Sequence, residues 1–212
     1  MSENSKIKNL FSSEFVSVGH PDKVADQISD AVVDFCLKAD PNSRVACEVL
    51  ATNNNVFVGG ELRVPESVFN NLDAILDEIV RNVFSDAGYV EQAEILNVVN
   101  SLNVQSSDIA LGVDADGAGD QGMMFGYAVK GFNDELMPLE YSLARNIILN
   151  QEEARKNGEL HGWLLPDAKA QITLDRNTGK VETVVLSTQH TEDAIFDELE
   201  EYCIHTIIAD AL

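Results

Sequence analysis

Residues 43–64, Ser43-Arg44-Val45-Ala46-Cys47-Glu48-Val49-Leu50-Ala51-Thr52-Asn53-Asn54-Asn55-Val56-Phe57-Val58-Gly59-Gly60-Glu61-Leu62-Arg63-Val64, decide the fold class. Two β-rich runs flank three asparagines, a residue type that tolerates the tight backbone of a turn. The stretch predicts a hairpin of strands over 43–52 and 56–64. Helical periods lie on both sides of it. From 22 to 38 the apolar positions Ile28, Val32 and Phe35, with Ala25 and Ala31, recur at helical spacing, and Asp40-Pro41 stops the run. From 65 to 87 Leu72, Ile75, Leu76, Ile79, Val80 and Val83 share one helical face, and Gly88 is a natural C-terminal stop.

The second half repeats this order. Residues 138–157 read as a helix with Leu143, Ile147 and Ile148 apolar, ended by Gly158. Strands are expected over 168–174 and 180–188, joined by the turn-rich 175–179. Residues 192–212 form an amphipathic pattern bearing Ile195, Leu199, Ile204, Ile207 and Ile208. Further strands are expected at 11–17, 95–104 and 122–130, with a glycine- and aspartate-rich loop over 105–121 and a frayed polar start over 1–9. Helix–hairpin–helix thus occurs twice. The expected fold is α+β, with repeated two-layer domains whose helices cover one face of a mixed or antiparallel sheet. The first domain is expected to combine 1–17 with 131–212, and the second to span 18–130. The other sheet face also carries apolar residues, so a dimer or higher oligomer is expected to cover it.

At 212 residues the chain can bury a sizeable core. Its 45% hydrophobic and 24% charged residues are those of an ordinary globular protein. The net charge of −22, from 36 acidic and 14 basic residues, argues against nucleic acid and against anionic membranes. It leaves room for a nucleotide, because a few lysines and a bound Mg²⁺ can reverse the field locally. The acidity itself is read as a solubility feature. No stretch approaches the ~20 apolar residues of a membrane span. The start, MSENSKIKNLF, lacks the apolar core of a signal peptide. Three scattered cysteines, Cys36, Cys47 and Cys203, form neither a disulfide framework nor a zinc motif. A reduced, cytoplasmic location is expected.

Chemistry concentrates in three short runs. Gly19-His20-Pro21-Asp22-Lys23 opens a helix, where unpaired N–H groups and the positive end of the macrodipole attract phosphate. His20 and Lys23 can donate to phosphate oxygens, and Asp22 can hold a hard cation such as Mg²⁺. A plain helix cap with a solvated lysine is the competing reading of these five residues taken alone. Gly117-Ala118-Gly119-Asp120-Gln121-Gly122 matches the letters of a dinucleotide fingerprint. That fingerprint must leave a strand and open a helix. Here a strand-like run, Met123 to Val129, follows instead, so the dinucleotide fold is rejected. Backbone brought close to a ligand, with the Asp120 carboxylate aimed at it, fits better than a bare surface turn. In Leu165-Pro166-Asp167-Ala168-Lys169 the lysine begins a strand after a long loop and can reach an anion, although most lysines are merely solvated.

Taken together and in order, GHPDK after SSEFVS, then ACE, VGGE, GAGDQG, PDAKAQ and VLSTQH, the chain from Phe11 onward resembles the methionine adenosyltransferases, also called S-adenosylmethionine synthetases. The resemblance implies formation of S-adenosylmethionine from ATP and L-methionine with release of phosphate and diphosphate, aided by Mg²⁺ and K⁺. It implies that His20 contacts the triphosphate and stabilises the leaving oxygen, that Asp22 binds Mg²⁺, with Lys23 in support, and that Glu48 binds K⁺. It assigns Glu61 and Gln105 to methionine, and Asp120, Asp167 and Lys169 to ATP. His20 and Lys169 are the expected catalytic pair, and Glu14 is expected near the nucleotide. Against the family pattern, the loop between Gly112 and Gly119 is short, Val18 stands where glutamate is usual, and Leu165 where arginine is usual. The family has three similar domains, and only the first two have counterparts here. The alternative expectation is therefore a truncated or split-chain relative, a non-catalytic or partner-dependent subunit completed by a second polypeptide.

Overall fold

A computed structural model describes residues 8–106, 121–130 and 135–212. Its elements are β1 (Leu10–Val16), α1 (Pro21–Ala39), β2 (Arg44–Thr52), β3 (Asn55–Arg63), α2 (Glu66–Phe69), α3 (Leu72–Ala87), α4 (Val90–Glu94), β4 (Asn97–Val104), α5 (Leu139–Lys156), β5 (Leu164–Asp175), β6 (Lys180–His190) and α6 (Phe196–Tyr202). A π-helical turn, Cys203–Ile208, and a 3₁₀ turn, Ala209–Ala211, continue α6. The fold is α+β, with two three-stranded sheets ordered β1-β5-β6 and β2-β3-β4. The chain divides into two compact units. One comprises Pro21–Phe125, and the other joins the segment ending at His20 to the residues from Gly126 onward.

In the first of these units, β2 and β3 form the antiparallel hairpin expected from residues 43–64, and β4 adds parallel to β3. The sheet is mixed because the chain crosses over through α2, α3 and α4 before β4. Helix α1 buries Val24, Ile28, Val32 and Cys36, an i, i+4 stripe. Phe35, expected in that stripe, is 38% exposed, because the buried row runs through Cys36 instead. Helix α3 buries Leu72, Leu76, Val80, Phe84 and Ala87. It ends where Gly88 takes a left-handed φ of 108°, as expected of a glycine stop. Asn70-Asn71 break the single helix expected over 65–87 into α2 and α3. The core between layers is completed by Val56, Val58, Leu62 and Leu102. The opposite sheet face is open and carries Leu50 and Phe57, which are 61% and 43% exposed.

The second unit is all antiparallel: β5 lies between β1 and β6. Along β5 alternate residues are buried, with Ala168, Ala170, Ile172 and Leu174 in a core shared with Ala144, Ile147 and Ile148 of α5. Leu199 and Ile207 add to it from the C-terminal helical turns. Phe15 of β1 meets Tyr141 edge-to-face at 5.5 Å. The terminal helix begins at Phe196 rather than 192. Residues 121–130 form neither helix nor strand, against the strand expected at 122–130. A strand requires a paired neighbour, and Met123, Met124 and Phe125 are 79%, 97% and 89% exposed. No helix opens at Gly122 either, in keeping with the rejected dinucleotide fold. Among the described residues, no helix is long and apolar enough to cross a membrane.

Candidate functional site

The site grows from an irregularity in β5. Leu164 faces His190 and Ala168 faces Thr188, so residues 165–167 stand opposite Gln189 alone. Such a bulge re-aims side chains out of the regular alternation. Ser17, just past β1 and 1% exposed, clamps it from one side. Its hydroxyl donates to the Pro166 carbonyl at 2.7 Å and accepts from the Ala168 N–H at 2.7 Å. The Ser17 N–H donates to the Ala168 carbonyl at 2.9 Å, and the His20 N–H donates to the Ser17 carbonyl at 3.1 Å. Between them Gly19 lies so near Pro166 that an added Cβ would sit 2.4 Å from Pro166 Cβ. The first and third runs quoted above are thereby locked together, although Ser17 and Pro166 are 149 positions apart.

The result is a shallow cleft of about 370 Å³ lined by His20, Asp167, Ala168, Lys169, Ser187, Thr188 and Gln189. Lys169 Nζ reaches Glu14 Oε2 at 2.6 Å, a diagonal pair on one face of the β1–β5 ladder. Both side chains are close to half exposed, 44% and 49%, so the pair is weak and its lysine can be claimed by a stronger anion. Burial pushes the Asp167 carboxyl above the usual carboxylate range, and the nearby His20 pulls it part of the way back. The Asp167 N–H points to Gln189 Oε1 at 3.4 Å. A cleft offering a lysine ammonium, an imidazole and a carboxylate can bind a polyanion and place a hydrogen-bond donor at one of its oxygens.

The other expected residues belong to the unit of α1. Asp22 is exposed and Lys23 half-buried, in the first turn of α1, where an acidic group suits the positive end of the helix. Glu48 and Glu61 share one face of the β2–β3 pair, since Glu48 faces Gly59 and Ala46 faces Glu61. Gln105 follows β4 and donates its N–H to the Leu62 carbonyl at 2.8 Å, which prolongs the ladder and brings Gln105 to the end of β3 where Glu61 stands. Its buried Oε1 has no hydrogen-bond partner among the described residues. Asp120 lies outside the described residues. Among the described residues, no group of three or more His, Cys, Asp or Glu side chains could hold a metal ion.

Sequence reasoning passed over Ser17 and the lining residues Ser187, Thr188 and Gln189, although they sit in two of the quoted runs, SSEFVS and VLSTQH. It also passed over Gln151 of α5, for which no local signal existed. That glutamine is fully buried, and its Nε2 donates to the Leu165 carbonyl and to Thr188 Oγ1, each at 3.0 Å.

Comparison with known proteins matches the sequence to one family. The model described as S-adenosylmethionine synthetase, N-terminal domain, matches residues 8–107, and that described as the central domain matches residues 115–212. The chain is 45% identical over 210 residues to an S-adenosylmethionine synthase of Fusobacterium nucleatum subsp. nucleatum, covering 95% of this chain and 52% of that protein. It is 48% identical over 202 residues to one of Granulibacter bethesdensis, covering 90% and 50%, and 42% identical over 207 residues to one of a Nitratiruptor species, covering 94% and 53%. The chain spans about half the length of the curated relatives it matches. With both domain matches in order along the chain, it belongs to the S-adenosylmethionine synthetase family, of which it carries the N-terminal and central domains.

Proposed function

We propose that this chain supplies the ATP and methionine site of a methionine adenosyltransferase. In that reaction the methionine sulfur attacks the ribose 5′ carbon of ATP. The new carbon–sulfur bond forms as the carbon–oxygen bond to the triphosphate breaks, and the triphosphate is then hydrolysed to phosphate and diphosphate. The observation that carries this reading is the convergence of His20, Asp167 and Lys169 on one cleft. In this reading His20 donates to the departing oxygen, and Lys169 leaves Glu14 for the phosphates. Asp167 holds the nucleotide, with Asp120 and Lys23 as further contacts. Positioning and charge carry most of the rate in such a displacement.

Glu61 and Gln105, at neighbouring strand ends, are proposed to hold methionine. The donor chemistry fits the proposed cations modestly. Mg²⁺ needs only one or two carboxylates when phosphate oxygens and water complete its shell, and Asp22 is such a carboxylate. Glu48 is the proposed K⁺ ligand. Bound there, the cations would offset the charge of the triphosphate. The open sheet face bearing Leu50 and Phe57 supports an oligomer, and a cytoplasmic location goes with this reading.

The test is mass-spectrometric detection of S-adenosylmethionine from ATP, methionine, Mg²⁺ and K⁺. The purified chain is assayed alone and mixed with a second polypeptide spanning the remaining half of the relatives. Product above a His20→Ala control in at least one of the two assays is expected. Product only in the mixture makes the chain a partner-dependent subunit, and none in both removes the catalytic reading.

A further inference from the structure

Among the described residues, Gln151 is the fully buried amide side chain in the core beneath the cleft. It projects from α5, whose other buried residues on that stretch, Ile147, Ile148 and Ala154, are apolar. A polar side chain in such a place is stabilised only by its hydrogen bonds. The orientation of the amide follows from its partners. The Leu165 carbonyl can only accept, so Nε2 and not Oε1 must face it. The same nitrogen donates to Thr188 Oγ1, whose hydroxyl is thereby left to donate to the Gln189 carbonyl at 3.4 Å.

These two acceptors lie on opposite edges of the β5–β6 bulge. Leu165 is the first bulged residue, and Thr188 is the first residue of β6 back in register, opposite Ala168. A bulge leaves backbone groups without ladder partners. Here Gln151 takes the Leu165 carbonyl, and Ser17 takes the Pro166 carbonyl and the Ala168 N–H. Asp167 lies between Pro166 and Ala168, which Ser17 holds, and two residues past Leu165, which Gln151 holds.

We infer that Gln151 is a positioning residue, which holds the 165–167 bulge from below through Leu165 and Thr188 and so sets the aim of Asp167 and Lys169 into the cleft. What this says of the ligand rests on the nucleotide reading proposed above. What it says of the bulge rests on the geometry alone.

The test uses the whole chain. Gln151→Met keeps the volume and removes both donors, and Thr188→Val removes one acceptor while sparing the Leu165 bond. Affinity for Mg·ATP is read by calorimetry, and the backbone amide signals by ¹⁵N NMR, under the same conditions. Gln151→Met is expected to weaken Mg·ATP about fivefold or more, the scale of one lost hydrogen bond, and to move the amide signals of Asp167, Ala168, Lys169 and Gln189. Thr188→Val should fall between it and wild type. The double variant should be no weaker than Gln151→Met, because both act through one network.

A merely structural glutamine would lower the melting temperature and leave the affinity of the folded chain close to wild type, with those amides unmoved. That result overturns the inference, and if Gln151→Met does not fold, Thr188→Val decides by the amide signals of 165–169, because Thr188 itself lines the cleft. Lys169→Ala separates the two claims. If it binds Mg·ATP as wild type does, or if neither binds, the nucleotide reading fails. The bulge is then judged by the amide signals alone: displacement confined to 165–169 and 188–189 upholds the positioning role, and none refutes it.

Discussion

Gly19 and Pro166 touch so closely that any side chain at Gly19 would overlap both the Pro166 ring and its backbone. A Cβ at Gly19 would lie 2.4 Å from Pro166 Cβ and 2.6 Å from the Pro166 carbonyl carbon and oxygen. The contact fixes where His20 stands relative to Asp167, because each is the immediate chain neighbour of one partner.

Gly19→Ala is therefore expected to be costly. The obstructing atoms include backbone, which cannot swing aside, so overpacking should cost about 1–3 kcal/mol and weaken Mg·ATP binding as well. Gly126→Ala, where nothing among the described residues lies within 4 Å of an added Cβ, is the matched control and should keep wild-type stability. Thermal unfolding of both variants checks the difference, and equal stabilities would refute the close-contact argument.

Ser17→Ala should be harmful for a different reason. It strips the Pro166 carbonyl and the Ala168 N–H of a partner inside a buried site. An orphaned buried polar group costs about 1–3 kcal/mol. Denaturant unfolding measures it. Ser17→Cys, with a weaker donor, should be intermediate.

The Lys169–Glu14 pair gives a prediction of opposite signs. Lys169→Ala should change stability by under about 1 kcal/mol, since the pair is near half exposed, yet weaken inorganic triphosphate binding strongly. Glu14→Gln should tighten triphosphate binding by about 2–5-fold, because it releases the lysine from its competitor. If Glu14 contacts the nucleotide directly, Glu14→Gln weakens ATP binding while still tightening triphosphate. Calorimetric titration with both ligands distinguishes these outcomes.

Asp167 sets a pH dependence. Burial holds its carboxyl above the usual range, so the folded chain keeps this proton more tightly than the unfolded chain. Between the unfolded value of about 3.9 and the raised folded value, stability falls as pH rises, and above it the penalty is complete. Asp167→Asn should raise the melting temperature near neutral pH, with the advantage vanishing below about pH 4. An advantage of equal size in acid and at neutral pH would contradict burial of the carboxylate as its origin.

Arg176 pairs with Glu140, whose side chain is 3% exposed, and its guanidinium lies 3.6 Å from the centre of the Phe11 ring. Arg176→Ala leaves a buried carboxylate unpaired and should cost a few kcal/mol, toward the low end of the ~3–5 typical of buried pairs, because Arg176 itself is 34% exposed. Adding Glu140→Gln should recover part of the loss in urea unfolding.

Much of this molecule was legible before any coordinate. The hairpin around Asn53-Asn54-Asn55, the helix stop at Gly88 and the α+β class follow from local preferences, which act over a few residues and so leave their mark in order along the chain. The candidates His20, Asp167 and Lys169, which the structure brings to one cleft, could be picked out for the same reason: donors and carboxylates announce themselves by type and spacing. Local preference misled where packing decided. Residues 122–130 carry a β-like pattern but pair with no strand among the described residues, and Phe35 yields its place in the core to Cys36.

What sequence alone determined, then, is the α+β class, most of the elements and the candidate residues, because these depend on side-chain type and short-range period. Tertiary structure alone decided which of those residues meet. That Gly19 must be a glycine because of Pro166, that Lys169 rests on Glu14, and that Ser17 and a buried Gln151 hold the Asp167 bulge are contacts between segments far apart in the chain. No local pattern encodes them, since close packing and the pairing of buried polar groups act on neighbours in space and not in sequence.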